Sequence, residues 1–133
     1  MNSSTDDIKD MLEDDSSLGL IFATNLFIAK EPSSPDNTVT LFDTPGSPEQ
    51  LTFNPVERYH YPSIQIRVRH ISYVTGFVLA QDIVTSLRDR AQETWNGSLY
   101  TLIRSTGDPV LLDWDKNNRC RIVINLDIQR RDV

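Results

Sequence analysis

The chain is poor in the residues that many small folds use for covalent or metal bracing. Of its 133 residues one is cysteine, Cys120, and two are histidine, His60 and His70. A lone thiol closes no internal disulfide, which fits a protein made in a reducing compartment. Neither histidine has a cysteine or carboxylate spaced to complete a zinc site with it. No apolar run approaches the length of a membrane-spanning helix, and the opening Met1-Asn2-Ser3-Ser4-Thr5-Asp6-Asp7 lacks the basic and then apolar layout of a secretion signal. The expectation is a soluble protein, made inside a cell, with no membrane contact. Lysine is scarce as well, three against ten arginines. The guanidinium fork docks on carboxylates at lower cost than a solvated ammonium, so the bias suggests fixed ion pairs or protein interfaces; drift in nucleotide composition explains it equally well.

Signatures of chemistry are also missing. The sequence holds no phosphate loop, dinucleotide fingerprint or nucleophile elbow. Asp113-x-Asp115-x-Asn117 opens like a calcium loop, yet Asn118 stands where glycine is required and Ile124 where a bidentate glutamate belongs, so it reads as a hairpin turn. Cys120 falls on the apolar side of an alternating segment, the place of a small buried hydrophobe rather than a nucleophile. Asn96-Gly97-Ser98 matches a glycosylation acceptor but reads as a helix stop, since Asn-Gly suits the left-handed conformation that ends helices. No catalytic residue, metal or cofactor is expected.

What is present is alternation. In Ser63-Ile64-Gln65-Ile66-Arg67-Val68-Arg69, Ile64, Ile66 and Val68 fall on one face of a strand, and Gln65, Arg67 and Arg69 on the other. The next residues place Tyr73, Phe77, Ala80, Ile83 or Val84, and Leu87 on one stripe of a helix, which must lie on a sheet. Earlier, Ser4 or Thr5 caps a short acidic helix within residues 1–17, with Asp6 and Asp7 favoured by the helix dipole, and that helix is expected at the periphery. Asn25–Lys30 and Thr38–Asp43 read as strands. The punctuated Glu31-Pro32-Ser33-Ser34-Pro35-Asp36-Asn37 between them is a loop.

Residues 44–62, with Pro45, Gly46, Pro48, Pro55 and Pro62, show no convincing period and read as a long loop. Its aromatics Phe53, Tyr59 and Tyr61 suggest a segment that orders against a neighbour. After the helix, strands are expected at Leu99–Arg104, Pro109–Trp114 and Arg119–Arg130, closing the chain as a β-meander. The sum is a single α+β domain over residues 1–133: one twisted, mostly antiparallel sheet with two α-helices packed on it.

Charge is unevenly spread over a net of −6. Acids dominate the first 57 residues and arginines the middle of the chain. Arg67, Arg69, Arg119 and Arg121 could suggest nucleic acid, but the interleaved aromatics of a stacking platform are absent and the total is acidic.

Three pieces in order carry a resemblance: Pro32-x-x-Pro35-Asp36-Asn37-x-Val39-x-Leu41-x-Asp43-Thr44-Pro45-Gly46, then Tyr61 to Arg69, then Asp115-Lys116-Asn117-Asn118-Arg119 leading to Asn125 through Arg131. Together they resemble the tail-completion family of tailed bacteriophages, the minor capsid or tail terminator proteins, from about residue 5 to 131. The resemblance implies a structural subunit, not an enzyme, that forms a ring, usually of six, at the head-proximal end of the tail tube. Its partners would be further copies of itself, the tail tube protein and the head-closure or connector protein, in the neck of a virion assembled in the host bacterial cytoplasm. DNA would pass the lumen without specific binding, and an acidic lumen would suit that passage.

On this reading Arg67, Arg69, Arg119 and Arg121 are candidates for the subunit interface, and Phe53, Tyr59 and Tyr61 for contact with the tube or a neighbour. A solvated sheet face with intrachain pairs is the plain alternative for the arginines. Two other functions compete: a head-closure or adaptor ring, and a small ligand-binding α+β domain using the long loop as a lid.

Overall fold

A computed structural model describes residues 1–50 and 58–132. Its elements in chain order are α1 (Ser4–Asp14), β1 (Leu26–Ile28), β2 (Thr38–Gln50), β3 (Tyr59–His70), α2 (Tyr73–Arg88), β4 (Glu93–Trp95), β5 (Ser98–Ser105), β6 (Val110–Trp114) and β7 (Cys120–Asp132). The architecture is α+β, with one mostly antiparallel seven-stranded sheet and both helices packed on it. Strand order is β1, β2, β3, β7, β5, β4, with β6 also paired to β7. Only β1 is parallel to its neighbour, β2.

The core follows from alternation. Ile64, Ile66 and Val68 of β3 stand opposite Leu126, Ile124 and Ile122 of β7, and all six are buried beneath the helices. The stripe of α2 is centred on Gly76, Ala80, Ile83 and Leu87, with Phe77 and Val84 at its margin and Tyr73 exposed. A glycine inside a helix costs about 1 kcal/mol relative to alanine. Gly76 is there because a Cβ would lie 2.9 Å from the Cβ of His70 and 3.3 Å from Cδ1 of Ile122, so the helix sits closer to the sheet than a side chain allows. Ser72 caps α2 by accepting from the Thr75 amide at 3.4 Å. Ser3, one residue before the expected caps, does the same for α1 from the Asp6 amide at 3.2 Å.

Four expectations are corrected. The long loop at 44–62 is strand at both ends: β2 runs on to Gln50 and β3 begins at Tyr59, pairing Thr44 with Ser63, Ser47 with Tyr61, and Gln50 with Tyr59. Prolines hid this. They are tolerated because β1 pairs only with Val39–Leu41, leaving the outer edge of Thr44–Glu49 without a strand partner among the described residues, and because register shifts at Thr44/Ser47 and Ser47/Gln50 absorb them. Asn96-Gly97 ends no helix, since α2 stops at Arg88. It makes the two-residue turn between β4 and β5, where Trp95 pairs with Ser98 and both turn residues have positive φ, 49° and 83°.

The closing strands are not a meander either. β5 and β6 never pair; they share one side of β7, with β5 along Leu126–Asp132 and β6 along Cys120–Val123. Last, α1 is not peripheral. Its Ile8, Met11 and Leu12 are fully buried in the common core, as is Asp7.

Ile66→Asp places an unpaired carboxylate in the centre of this core. A penalty of several kcal/mol is comparable with a whole folding margin of about 5–15 kcal/mol. The variant is expected to show no cooperative thermal transition by circular dichroism; a native-like melt would contradict the packing described.

Candidate functional site

The register of β3 and β7 sets Arg69 directly opposite Arg121, and Arg119 immediately precedes β7, so three guanidinium groups gather at one end of the sheet. Like charges facing across a ladder repel. The loop at 31–37 supplies what offsets them. Glu31 Oε1 accepts from Arg69 Nη1 at 3.3 Å and from Arg121 Nε at 2.9 Å. Arg69 also donates to the carbonyls of Pro35 (2.7 Å) and Asp36 (3.2 Å), and Arg119 to the carbonyl of Ser33 (2.7 Å). Asp115 accepts from Arg119 Nε at 2.7 Å, and Asp113 from Arg121 Nη1 at 3.1 Å. Arginine suits this place because one planar fork serves carboxylates and backbone carbonyls together.

Arg69 is 2% and Arg119 5% exposed, so these two spend their donors inside the subunit, clamping the proline-rich loop against the sheet. Burial presses hardest on the charge of Arg69, the neighbouring Arg119 adds to that pressure, and Glu31 opposes both. For Arg121 the burial penalty is outweighed by Glu31 and Asp113, and its proton is held more tightly than usual. Arg67 stands apart. It accepts no help from a carboxylate among the described residues: its Nε donates to Gln65 Oε1 at 2.8 Å and its guanidinium lies 4.8 Å from the ring centre of Phe42. It is half-buried on the outer sheet face.

Of the aromatic candidates, Tyr59 and Tyr61 lie half-buried in the first part of β3, facing Gln50 and Ser47 of β2 across the hairpin. Phe53 lies outside the described residues. Tyr61 also borders a cavity of about 210 Å³ with Ser47, Leu102, Arg104 and Asp127. No cluster of three or more histidine, cysteine or carboxylate side chains suited to a metal occurs among the described residues.

Sequence reasoning missed two features. One is a buried polar knot: Asp7 accepts from the hydroxyl of Tyr100, from Asn96 Nδ2 at 2.7 Å and from Arg130 Nη1 at 3.4 Å, and Arg130 reaches the carbonyl of Asn2 at 2.9 Å. Burial, and then the bond to Asp7, push the Tyr100 phenol far above its ordinary range, so it stays a donor. The knot pins α1 to the sheet. Its signal was there to read: Arg130 continues the buried alternation of Leu126 and Ile128, and an arginine on a core face requires a carboxylate. The second is β6, all of whose residues are exposed although four of its five are large and apolar.

This two-layer subunit, with its clamped loop, extended hairpin and uncovered apolar strand, has the fold of a virion chain. It matches a chain of the "Virion of native gene transfer agent (GTA) particle" with a TM-score of 0.67 at 14% identity, over 96% of this chain and 94% of that one. No curated protein matches the sequence. Residues 2–131 match the family model described as "Bacteriophage tail terminator protein", and the chain belongs to that family. It is a virion structural protein of the phage tail-completion class, and other virion components are its partners.

Two predictions follow from the clamp. Glu31→Gln removes the charge shared by Arg69 and Arg121, and breaking such a buried pair costs about 3 kcal/mol. Urea denaturation should register that loss, and hydrogen exchange should quicken across residues 31–37. Burial alone would raise the Asp115 carboxyl, but hydrogen bonds from the Arg119 amide and guanidinium and from the Asn117 amide hold it below its ordinary value of 3.8. Its contribution is therefore present above pH 3.8 and lost as pH falls through the lower folded value. The stability difference between wild type and Asp115→Asn should be constant near neutrality and vanish in strong acid; a difference that persists there would exclude this role.

Proposed function

We propose that this protein is the tail terminator of a tailed phage: single-domain subunits, residues 1–133, close into a hexameric ring that caps the head-proximal end of the tail tube. The ring stops tube growth and offers a surface to the head-closure or connector protein, in the neck of a particle assembled in the bacterial cytoplasm. The observation that carries this reading is the family match across residues 2–131. The near full-length fold likeness to a virion chain agrees with it.

A ring needs two unlike patches on each subunit that complement one another. One is the arginine end of the outer sheet face. Arg67 meets the neighbour directly, while Arg69, Arg119 and Arg121 serve the contact by keeping the exposed loop at 33–37 in one shape. Tyr59 and Tyr61 at the start of β3, together with Phe53, which lies outside the described residues, contact the tube or the adjacent subunit. The acidic first third lines the bore, where like charge lets DNA slide without specific binding. The subunit works without enzymatic activity or cofactor.

A specific antibody should label the top of the tail on whole virions and on isolated tails by negative-stain microscopy. Label retained on tailless heads would instead indicate a head-closure ring, and no label on any particle would remove the virion role and favour a ligand-binding domain. Arg67→Glu is expected to melt within a few degrees of wild type, yet lower the yield of infectious particles by about tenfold or more. Normal yields would take Arg67 out of the interface.

A further inference from the structure

The residues of β6 and the start of α2 form an apolar surface that nothing in the described structure covers. Leu111, Leu112 and Trp114 of β6, and Ile71, Tyr73, Val74 and Val78 around the start of α2, are each between 38 and 70% exposed. Register makes them neighbours. Trp114 pairs with Cys120, which pairs in turn with His70, the residue just before Ile71 and α2. Leu111 pairs with Ile122, whose Cδ1 approaches Gly76, so Leu111 shares the sheet face on which α2 lies. Further along α2, Gln81, Thr85 and Arg88 border a cavity of about 480 Å³ whose other wall is Ile103–Pro109, the chain leading into β6. Val74 and Val78 precede Gln81 and Thr85 by seven residues, two helical turns, and so occupy the same side of the helix.

Monomeric proteins rarely expose a contiguous apolar patch beyond a few hundred Å². Seven large side chains, each showing roughly 80–100 Å², supply most of the roughly 800 Å² that one partner contributes to a stable interface. The outer edge of β6 has no strand partner among the described residues, and it lacks the usual guards. It carries no lysine, its proline Pro109 lies before the strand, and its one charge, Asp113, is engaged by Arg121. The sheet's opposite side has a second uncovered edge at Thr44–Glu49, where Pro45 and Pro48 supply no amide donors. A subunit with unlike free edges on opposite sides suits head-to-tail contact, and an uncharged apolar patch of this size suits an identical, permanently bound neighbour better than DNA or a transient partner.

We propose that β6 with the first turns of α2 is the apolar half of the contact between successive copies of this chain. The proposal rests on the ring reading and names the surface that closes it. The contact is heterologous, so the β6 patch of one copy meets a different segment of the next.

The test places a photo-crosslinking benzoylphenylalanine at Leu112 of the protein as it is incorporated into phage, irradiates purified tails, and maps the adducts by mass spectrometry. A dimeric adduct joining position 112 to a segment of a second copy other than β6 is expected. An adduct to another virion protein, one joining β6 to β6, or none at all would overturn the proposal. Antibody labelling of the same tails reads the terminator function separately. Label at the tail tip facing the head, without the expected adduct, removes the β6 contact and leaves the terminator reading standing; absence of label removes both.

Discussion

The pairing of β3 with β7 imposes two demands at once. Because side chains alternate with a period of two, the register that sets Ile64, Ile66 and Val68 against Leu126, Ile124 and Ile122 also sets Arg69 against Arg121 on the other face. A slip of one residue would move the arginines into the core and the isoleucines into water. The apolar side therefore fixes the register, and the register creates a cationic pair that must be offset. Glu31, reaching both guanidinium groups through one carboxylate oxygen, supplies the offset and brings the loop at 31–37 with it. The position of that exposed loop is thus a consequence of core packing two strands away.

The same logic operates at the far end of β7. Arg130 follows the buried alternation of Leu126 and Ile128, and Asp7 answers it from the first turn of α1. A buried ion pair of this kind is weak evidence of stability in itself, since desolvation offsets much of the attraction. What it provides is orientation. With Tyr100 and Asn96 also bonded to Asp7, α1 has one angular setting in which all these donors are served. Ile8, Met11 and Leu12 then meet the sheet. The carboxylates of Glu13 and Asp14 stay exposed and accept from the Phe22 amide and from Arg90.

A subunit made for assembly has to be soluble alone and adhesive in place. Here the surfaces proposed for assembly sit on parts whose shape the core already settles. β6 is held by its hairpin to β7, α2 by its close approach at Gly76, and the loop at 31–37 by arginines that are nearly inaccessible. Preorganisation of this kind lowers the ordering cost of association, which is where much of the binding energy of a ring contact is otherwise lost.

By itself the sequence determined the fold class, the core faces of β3 and β7, the α2 stripe and the clustering of the arginines, because these depend on local period and composition. The resemblance to tail terminators was legible too, in motifs spread along nearly the whole chain. Only the tertiary structure decided who meets whom. Prolines at 45 and 48 looked like loop because their tolerance depends on a missing neighbour strand. Leu99–Trp114 looked like two rungs of a meander because nothing local says that β5 and β6 share one side of β7. The arginines looked available because Glu31 lies 38 residues from Arg69 and 90 from Arg121. Strand pairing and ion pairing are chosen by the energy of the assembled whole, and the spacing of residues along a chain carries no direct record of that choice.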